Sequence, residues 1–365
     1  MVIKIQKETL AKALGTVIKA VPNKSTTPIM ECVVIKATDN IKFIGNDTEM
    51  GIETTVEDAG ILLRGEIAIN AKILTELVKK LPEGEVCLET DDNYMATIKC
   101  KKSKFTIQGS STAAYSFLPE ITKGSEICTT QGELRDLIRQ TIFCASTDNN
   151  MFSSVIFDCK NGTVRMSALD GHRIGTKVVE LTSAEQMCKV LVPVKSLSEI
   201  SRVLDDSDDK VAIFVTDKHI LFEFGNNLIL SRLADGSPFD IEKMLGAANG
   251  TTVKVDRKEL AGSIERASLL IKETDKRPLV FNIIDGSISV EVTSVLGSMK
   301  EDIEIEKDGD DLKIGFNPKY LLEAFKSVDD DSITMKFTKD KNPMEIVGAD
   351  YTYIILPISL NSHSN

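Results

Sequence analysis

Three stretches of this 365-residue chain set a cation, an anion and a second cation at one spacing. Lys72, Glu76 and Lys79 are repeated by Lys195, Glu199 and Arg202, and again by Lys319, Glu323 and Lys326. Each set starts 123 or 124 positions after the one before. The chemistry on offer is electrostatic, a charged face shown to a polyanion. At about 100° per residue the charges fall near 0°, 40° and 340° on a helix. The apolar residues at +2, +5 and +9 then fall near about 200°, 140° and 180°. One such helix reads as a solvated face whose Glu–Lys pair is worth only ~0.2–0.5 kcal/mol. Three copies at one period read as three homologous domains.

The elements that position these faces follow a common order. Each unit begins with a further amphipathic segment, at residues 7–20, 133–141 and 257–270, and the repeated helices occupy 71–80, 195–203 and 318–327. Asn70 and Asn317 suit helix N-caps, and Pro318 suits a first helical position. Between helices the pattern alternates with period two, as in Cys32–Lys36, Val211–Val215 and Ser332–Phe337. Short connections at Asp39-Asn40, Asp91-Asp92-Asn93, Asn161-Gly162 and Asp285-Gly286 suit hairpins and antiparallel sheets. The predicted class is α+β, with two helices on antiparallel sheet in each of three domains, 1–123, 124–248 and 249–365. Linkers are read at 122–126 and 246–252.

The whole-chain charge is −11, with 44 Lys and Arg against 55 Asp and Glu. The six helical segments sum to +7, so the remainder carries −18. Charge is segregated by element type, and its distribution matters more than its sum. Seven single cysteines (32, 87, 100, 128, 144, 159 and 188) with no CxxC point to reduced thiols, with no disulfide framework or zinc site. Met1–Ile5 reads as a strand rather than a signal peptide, and no apolar run reaches the roughly 18 residues of a membrane span. A soluble, cytoplasmic protein without cofactor or metal is expected. P-loop, GxGxxG, HExxH and GxSxG patterns are absent, and His172, His219 and His363 have no metal partner at helical spacing. The acidic runs at 205–209 and 329–331 read as solvated turns.

Three readings stand on these residues. Basic helices lining a concave surface would attract duplex DNA without reading bases, while Glu76, Glu199 and Glu323 would weaken the grip and permit sliding. An open adaptor binding only peptides is the second reading, and an enzyme with an unrecognised site is the third.

Over essentially its whole length the chain also resembles the bacterial DNA polymerase III beta subunits, the sliding clamps. The resemblance is carried by Thr27–Met30, Gly45-Asn46-Asp47-Thr48-Glu49-Met50, Leu81-Pro82-Glu83-Gly84 and Leu169-Asp170-Gly171-His172-Arg173-Ile174. It continues in Leu233-Ala234-Asp235-Gly236, Ile314-Gly315-Phe316-Asn317 and Tyr353–Ile358. It implies a non-catalytic processivity factor, a head-to-tail homodimer closing into a ring of six similar domains around double-stranded DNA. Phe105 of one copy would meet Leu269 and Leu270 of the other.

The resemblance also implies a groove between the second and third domains for short motifs of the replicative polymerase, the clamp loader and repair factors. Its matching positions are Phe152, Leu169, Gly171, His172, Arg173, Ile174, Phe239, Met244, Ile354, Leu356, Pro357 and Ile358. The DNA-facing cations expected on this reading are Lys12, Lys19, Lys24, Lys72, Lys79, Lys80, Arg135, Arg139, Lys195, Arg202, Arg266, Lys319 and Lys326. The chain departs from the family at Pro238-Phe239-Asp240-Ile241, at Lys276 and in the polar tail 361–365, which predicts an altered peptide preference.

Overall fold

A computed structural model describes residues 1–146, 148, 152–184, 187–246, 248, 250–271 and 277–360. Lys276 and the tail 361–365 lie outside the described residues, as do parts of the second linker. Among the described residues every strand pairing is antiparallel. The expected hairpins form. Asn161 and Gly162 both take positive φ (51° and 76°), the type I′ geometry that matches strand twist.

Six α-helices are found among the described residues: α1 Lys7–Val17, α2 Ala71–Lys80, α3 Gln131–Arg139, α4 Val194–Ser201, α5 Arg257–Ser268 and α6 Pro318–Ser327. The first is shorter than the periodicity predicts, because the chain tightens into a 3-10 turn at Ile18–Ala20. Caps explain the starts. Asn70 Oδ1 accepts the Ile73 amide at 3.0 Å, Asn317 Oδ1 accepts that of Lys319 at 3.0 Å, and Asp256 Oδ1 accepts that of Glu259 at 2.8 Å. Thr130 and Glu133 form a reciprocal capping box at the start of α3.

The chain divides into two compact units, each described separately. The first comprises Met1–Leu134, Leu181–Gln186 and Lys195–Leu233, and the second comprises Arg135–Glu180, Met187–Val194 and Ala234–Asn365. The middle third of the chain therefore contributes to both. The first unit holds a five-stranded sheet and a nine-stranded sheet, with α1 packed on α2. The second holds a nine-stranded sheet and a four-stranded sheet, with α5 packed on α6.

The repeated helices bury the stripe their spacing predicts. Leu74, Leu197 and Leu321, the +2 positions, are all 0% exposed, and Leu81, Leu204 and Val328 at +9 are also buried. Each fully buried leucine contributes about 1.5–3 kcal/mol relative to an exposed one. The opposite side of every one of these helices is thereby held toward water.

Candidate nucleic-acid interface and partner groove

The six repeated cations are all exposed. On α2, Lys79 reaches Glu76 at 3.2 Å, and Arg202, just past the end of α4, reaches Glu199 at 2.8 Å, both one turn away. On α6 the pattern breaks, because Lys326 pairs with Glu265 of α5 at 2.7 Å and Glu323 turns elsewhere. Exposed pairs of this kind are worth about 0–1 kcal/mol, so a phosphate can replace the glutamate partner of these cations at little cost. Lys195 is held by the Asp47 carboxylate, which is itself buried.

The other expected cations fall into two groups. Lys12 and Lys24 are exposed, and together with Lys72, Lys80 and Lys319 they form no salt bridge among the described residues. Lys19 is half-buried and donates to the Arg202 carbonyl at 2.6 Å; desolvation lowers its pKa from the usual lysine value. Arg135 is half-buried. Arg139 is a strut. It bonds Asp136 at 3.0 Å, the Ser327 carbonyl at 2.8 Å and Asp329 at 2.6 Å. Arg266 is forked onto Glu301. A helical pattern assigns a face to such arginines but not a partner, so these anchorings were invisible in the sequence.

The residues expected to form the groove lie within the second unit. Ile156, Leu169 and Ile241 form a buried floor, with Phe152, Ile174, Leu191, Phe239 and Leu245 around it. The Phe152 and Phe239 rings stack at 5.8 Å and 24°. Pro238–Ile241, where the chain departs from the family pattern, thus gives Phe239 to the stack and Ile241 to the floor. Ile174 lies opposite Ile354, and the Leu356 amide donates to the His172 carbonyl at 2.9 Å. The Ile358 amide donates to the Gly315 carbonyl at 2.8 Å, fixing Pro357 between two anchored neighbours. Met244 and Leu356 are the exposed apolar side chains here. Ile156, Leu191, Ile241 and Leu245 are not among the residues the resemblance names; strand alternation shows that the first two face inward or outward but not onto which cleft.

The turn Asp170–Arg173 orders this region. Asp170 Oδ1 accepts the amides of His172 and Arg173 at 2.9 and 3.1 Å, and Gly171 holds φ +88°, where a side chain is strained. His172 stacks on Tyr320 at 6.1 Å. Arg173 is only 7% exposed. Its guanidinium bonds Asp170 at 2.9 Å, Glu323 and the Phe143 carbonyl, and lies 4.5 Å over the Tyr320 ring. Its place is beneath the turn, which it holds from inside.

Phe105 is 44% exposed on Ser103–Gln108, an edge strand of the five-stranded sheet. In the second unit, Leu269 is 78% exposed just after α5, and Leu270 is half-buried near Gly297. Gly297–Glu304 is an edge strand of the four-stranded sheet. The first edge carries Lys104, with Lys101 and Lys102 just before it, whereas the second carries Glu301, Asp302 and Glu304 against the single cation Lys300. Among the described residues no helix is long and apolar enough to cross a membrane, and no group of His, Cys, Asp and Glu is arranged to hold a metal ion.

Comparison with known proteins gives one consistent result. Models of the N-terminal, central and C-terminal domains of the DNA polymerase III beta subunit match residues 1–119, 129–239 and 243–359. The beta sliding clamp of Bacillus subtilis strain 168 is 32% identical, covering 94% of each chain. A crystal structure of a putative DNA polymerase III beta subunit from Eubacterium rectale superposes with a TM-score of 0.95. It is 40% identical and covers 99% of this chain and 100% of its own. The Bacillus subtilis sliding clamp structure gives 0.94 at 31% identity, covering 98% and 99%.

Proposed function

The chain belongs to the DNA polymerase III beta-subunit family and works as a DNA sliding clamp, and from that premise we propose how its residues divide the task. Its α+β fold is that of three repeated clamp domains, and the division at 1–123, 124–248 and 249–365 is part of the proposal. Two copies close head to tail into a ring. The basic strand carrying Phe105 pairs with the acidic strand beside Leu269 and Leu270, joining two open edges that would otherwise template further association.

The observation that carries the DNA role is the exposed charged face of α2, α4 and α6, each opposite a buried leucine. Phosphates are met by Lys12, Lys19, Lys24, Lys72, Lys79, Lys80, Arg135, Lys195, Arg202, Lys319 and Lys326, with Arg139 and Arg266 contributing field while anchored to carboxylates. The neighbouring glutamates keep each contact weak, and encirclement supplies retention. The clamp carries no catalysis of its own. It tethers the replicative polymerase, the clamp loader and repair factors by short apolar motifs in the groove floored by Leu169 and Ile241. This takes place in the cytoplasm, on the nucleoid.

The test is topological. Clamp assembled on nicked circular plasmid with its loader and ATP should co-elute with the DNA and be released when the circle is linearised. Retention that ignores linearisation would favour an adaptor bound to a surface.

A further inference from the structure

The turn that frames the groove occurs twice. Asn46–Met50 repeats Leu169–Arg173 at an offset of 123. Asp47 accepts the amides of Glu49 and Met50 as Asp170 accepts those of His172 and Arg173. Thr48 and Gly171 both hold positive φ, 77° and 88°. The Arg232 amide donates to the Glu49 carbonyl at 2.8 Å as that of Leu356 donates to His172. Gly51 lies opposite Leu230 as Ile174 lies opposite Ile354. The first unit therefore contains a cleft of the same design as the groove in the second.

Two replacements separate them. Where the groove has Leu169, the cleft has Asn46, which is 1% exposed. Asn46 Oδ1 accepts the Thr48 amide at 2.7 Å, and its Nδ2 donates to the Ser116 carbonyl, in the segment that leads to the first linker. Where the groove has Ile174, the cleft has Gly51, and a Cβ there would stand 1.9 Å from Leu118 Cδ1. Leu118 and Ile121 pack against Phe214, Leu221 and Leu230. The segment is fastened at both ends, by Tyr115 buried among Met30, Val34 and Ile44, and by Lys123 paired with Glu223 at 2.6 Å.

We propose that residues 116–121 are a built-in occupant of this cleft, an intramolecular pseudo-ligand. Leu118 takes the seat of a partner's aliphatic anchor, Gly51 supplies the room for it, and Asn46 clips its backbone. The chain thus owns two clefts of one design and shows only one to partners. What the hidden cleft accepts is a short extended peptide with a branched aliphatic anchor. The comparison rests on the peptide reading of the groove, but the following test reads the hidden cleft alone.

In the full-length clamp, Leu118→Asp should expel residues 116–121 while leaving Asn46 and Gly51 in place. The probe is a fluorescein-labelled peptide of residues 115–121, Tyr-Ser-Phe-Leu-Pro-Glu-Ile, followed by anisotropy. The variant should gain one saturable site per chain over the wild type. Adding Gly51→Ala should weaken that gain about tenfold or more, because a methyl then overfills the leucine seat. Leu118→Ser is read in place of the aspartate variant if the latter fails to melt cooperatively. Gly51→Ala alone should speed amide exchange of residues 117–121. A folded Leu118 variant that binds no more probe than the wild type, a gain indifferent to Gly51→Ala, or unchanged exchange would each overturn the proposal. Failure of the groove reading would show separately, as a wild-type clamp that does not bind the polymerase's own tail peptide.

Discussion

The Arg173 guanidinium is bonded to the Glu323 carboxylate, so the anion of the third charged helix faces the groove turn and not Lys326. Glu76 and Glu199 sit at the same helical position but pair with the cation one turn further along. One residue of the repeat has thus left the charged face and become a support for His172 and Ile174.

Removing that support should separate the two sites. Glu323→Gln keeps the shape and deletes a charge-assisted bond to a buried guanidinium, at a cost of about 1–3 kcal/mol. Asp170 and the Phe143 carbonyl continue to hold Arg173, so the protein should fold with a lowered melting midpoint. Partner-peptide affinity should drop several-fold, while retention on nicked circular DNA should be unchanged or firmer, because α6 has lost an anion. Equal losses at both sites would show that Glu323 acts through global stability.

The cations should divide by their present partners. Lys24→Ala, Lys72→Ala and Lys319→Ala remove side chains with no salt bridge among the described residues. Each that neutralises a phosphate should lower the salt slope of DNA binding by about 1, without sequence preference and without loss of stability. Arg139→Ala should behave oppositely. It leaves Asp329 and the Ser327 carbonyl without their donor, so thermal stability should fall by about 1–3 kcal/mol with a smaller effect on the salt slope. Titrating DNA affinity against NaCl beside a melting curve reads both quantities.

Ring closure should fail when the exposed leucines are charged. Leu269→Glu with Leu270→Glu adds two carboxylates near the start of the strand that carries Glu301, Asp302 and Glu304, opposite an edge that is proposed to bury Phe105. Sedimentation should then show monomers at concentrations where the wild type is dimeric. An unchanged dimer would remove Phe105, Leu269 and Leu270 from the interface.

Much of the fold was legible because the repeated helices write their buried and solvent faces at a fixed period. Leu74, Leu197 and Leu321 needed no tertiary information to be placed. Partners of charged residues were not legible, since Arg139 and Arg202 look alike on a helix wheel although one grips three acceptors and the other a single glutamate. Arg173 sits in a motif that reads as a binding turn, and only tertiary structure shows its guanidinium beneath it. The doubled turn was hidden for another reason. Its aspartates lie 123 residues apart, but Thr48 stands where Gly171 does and Asn46 where Leu169 does, so the shared backbone is masked by unlike side chains.

Stability should fall at alkaline pH, for a reason that lies in the thiols. Burial pushes the Cys32, Cys144, Cys159 and Cys188 thiols above their usual pKa, that of Cys188 to about 12. In the unfolded chain these groups ionise near about 8.5. Between that value and the folded pKa the unfolded state binds fewer protons than the native one, so the stability slope with pH is negative there. Cys144, wholly buried beneath Gly175, should alone withdraw about 2 kcal/mol by pH 10. Cys144→Ala removes the titrating group, so its melting midpoint should decline less steeply between pH 8 and pH 10 than that of the wild type. The cavity it leaves should lower both ends of the curve equally. Parallel curves for the two proteins would show that the alkaline loss comes from other groups.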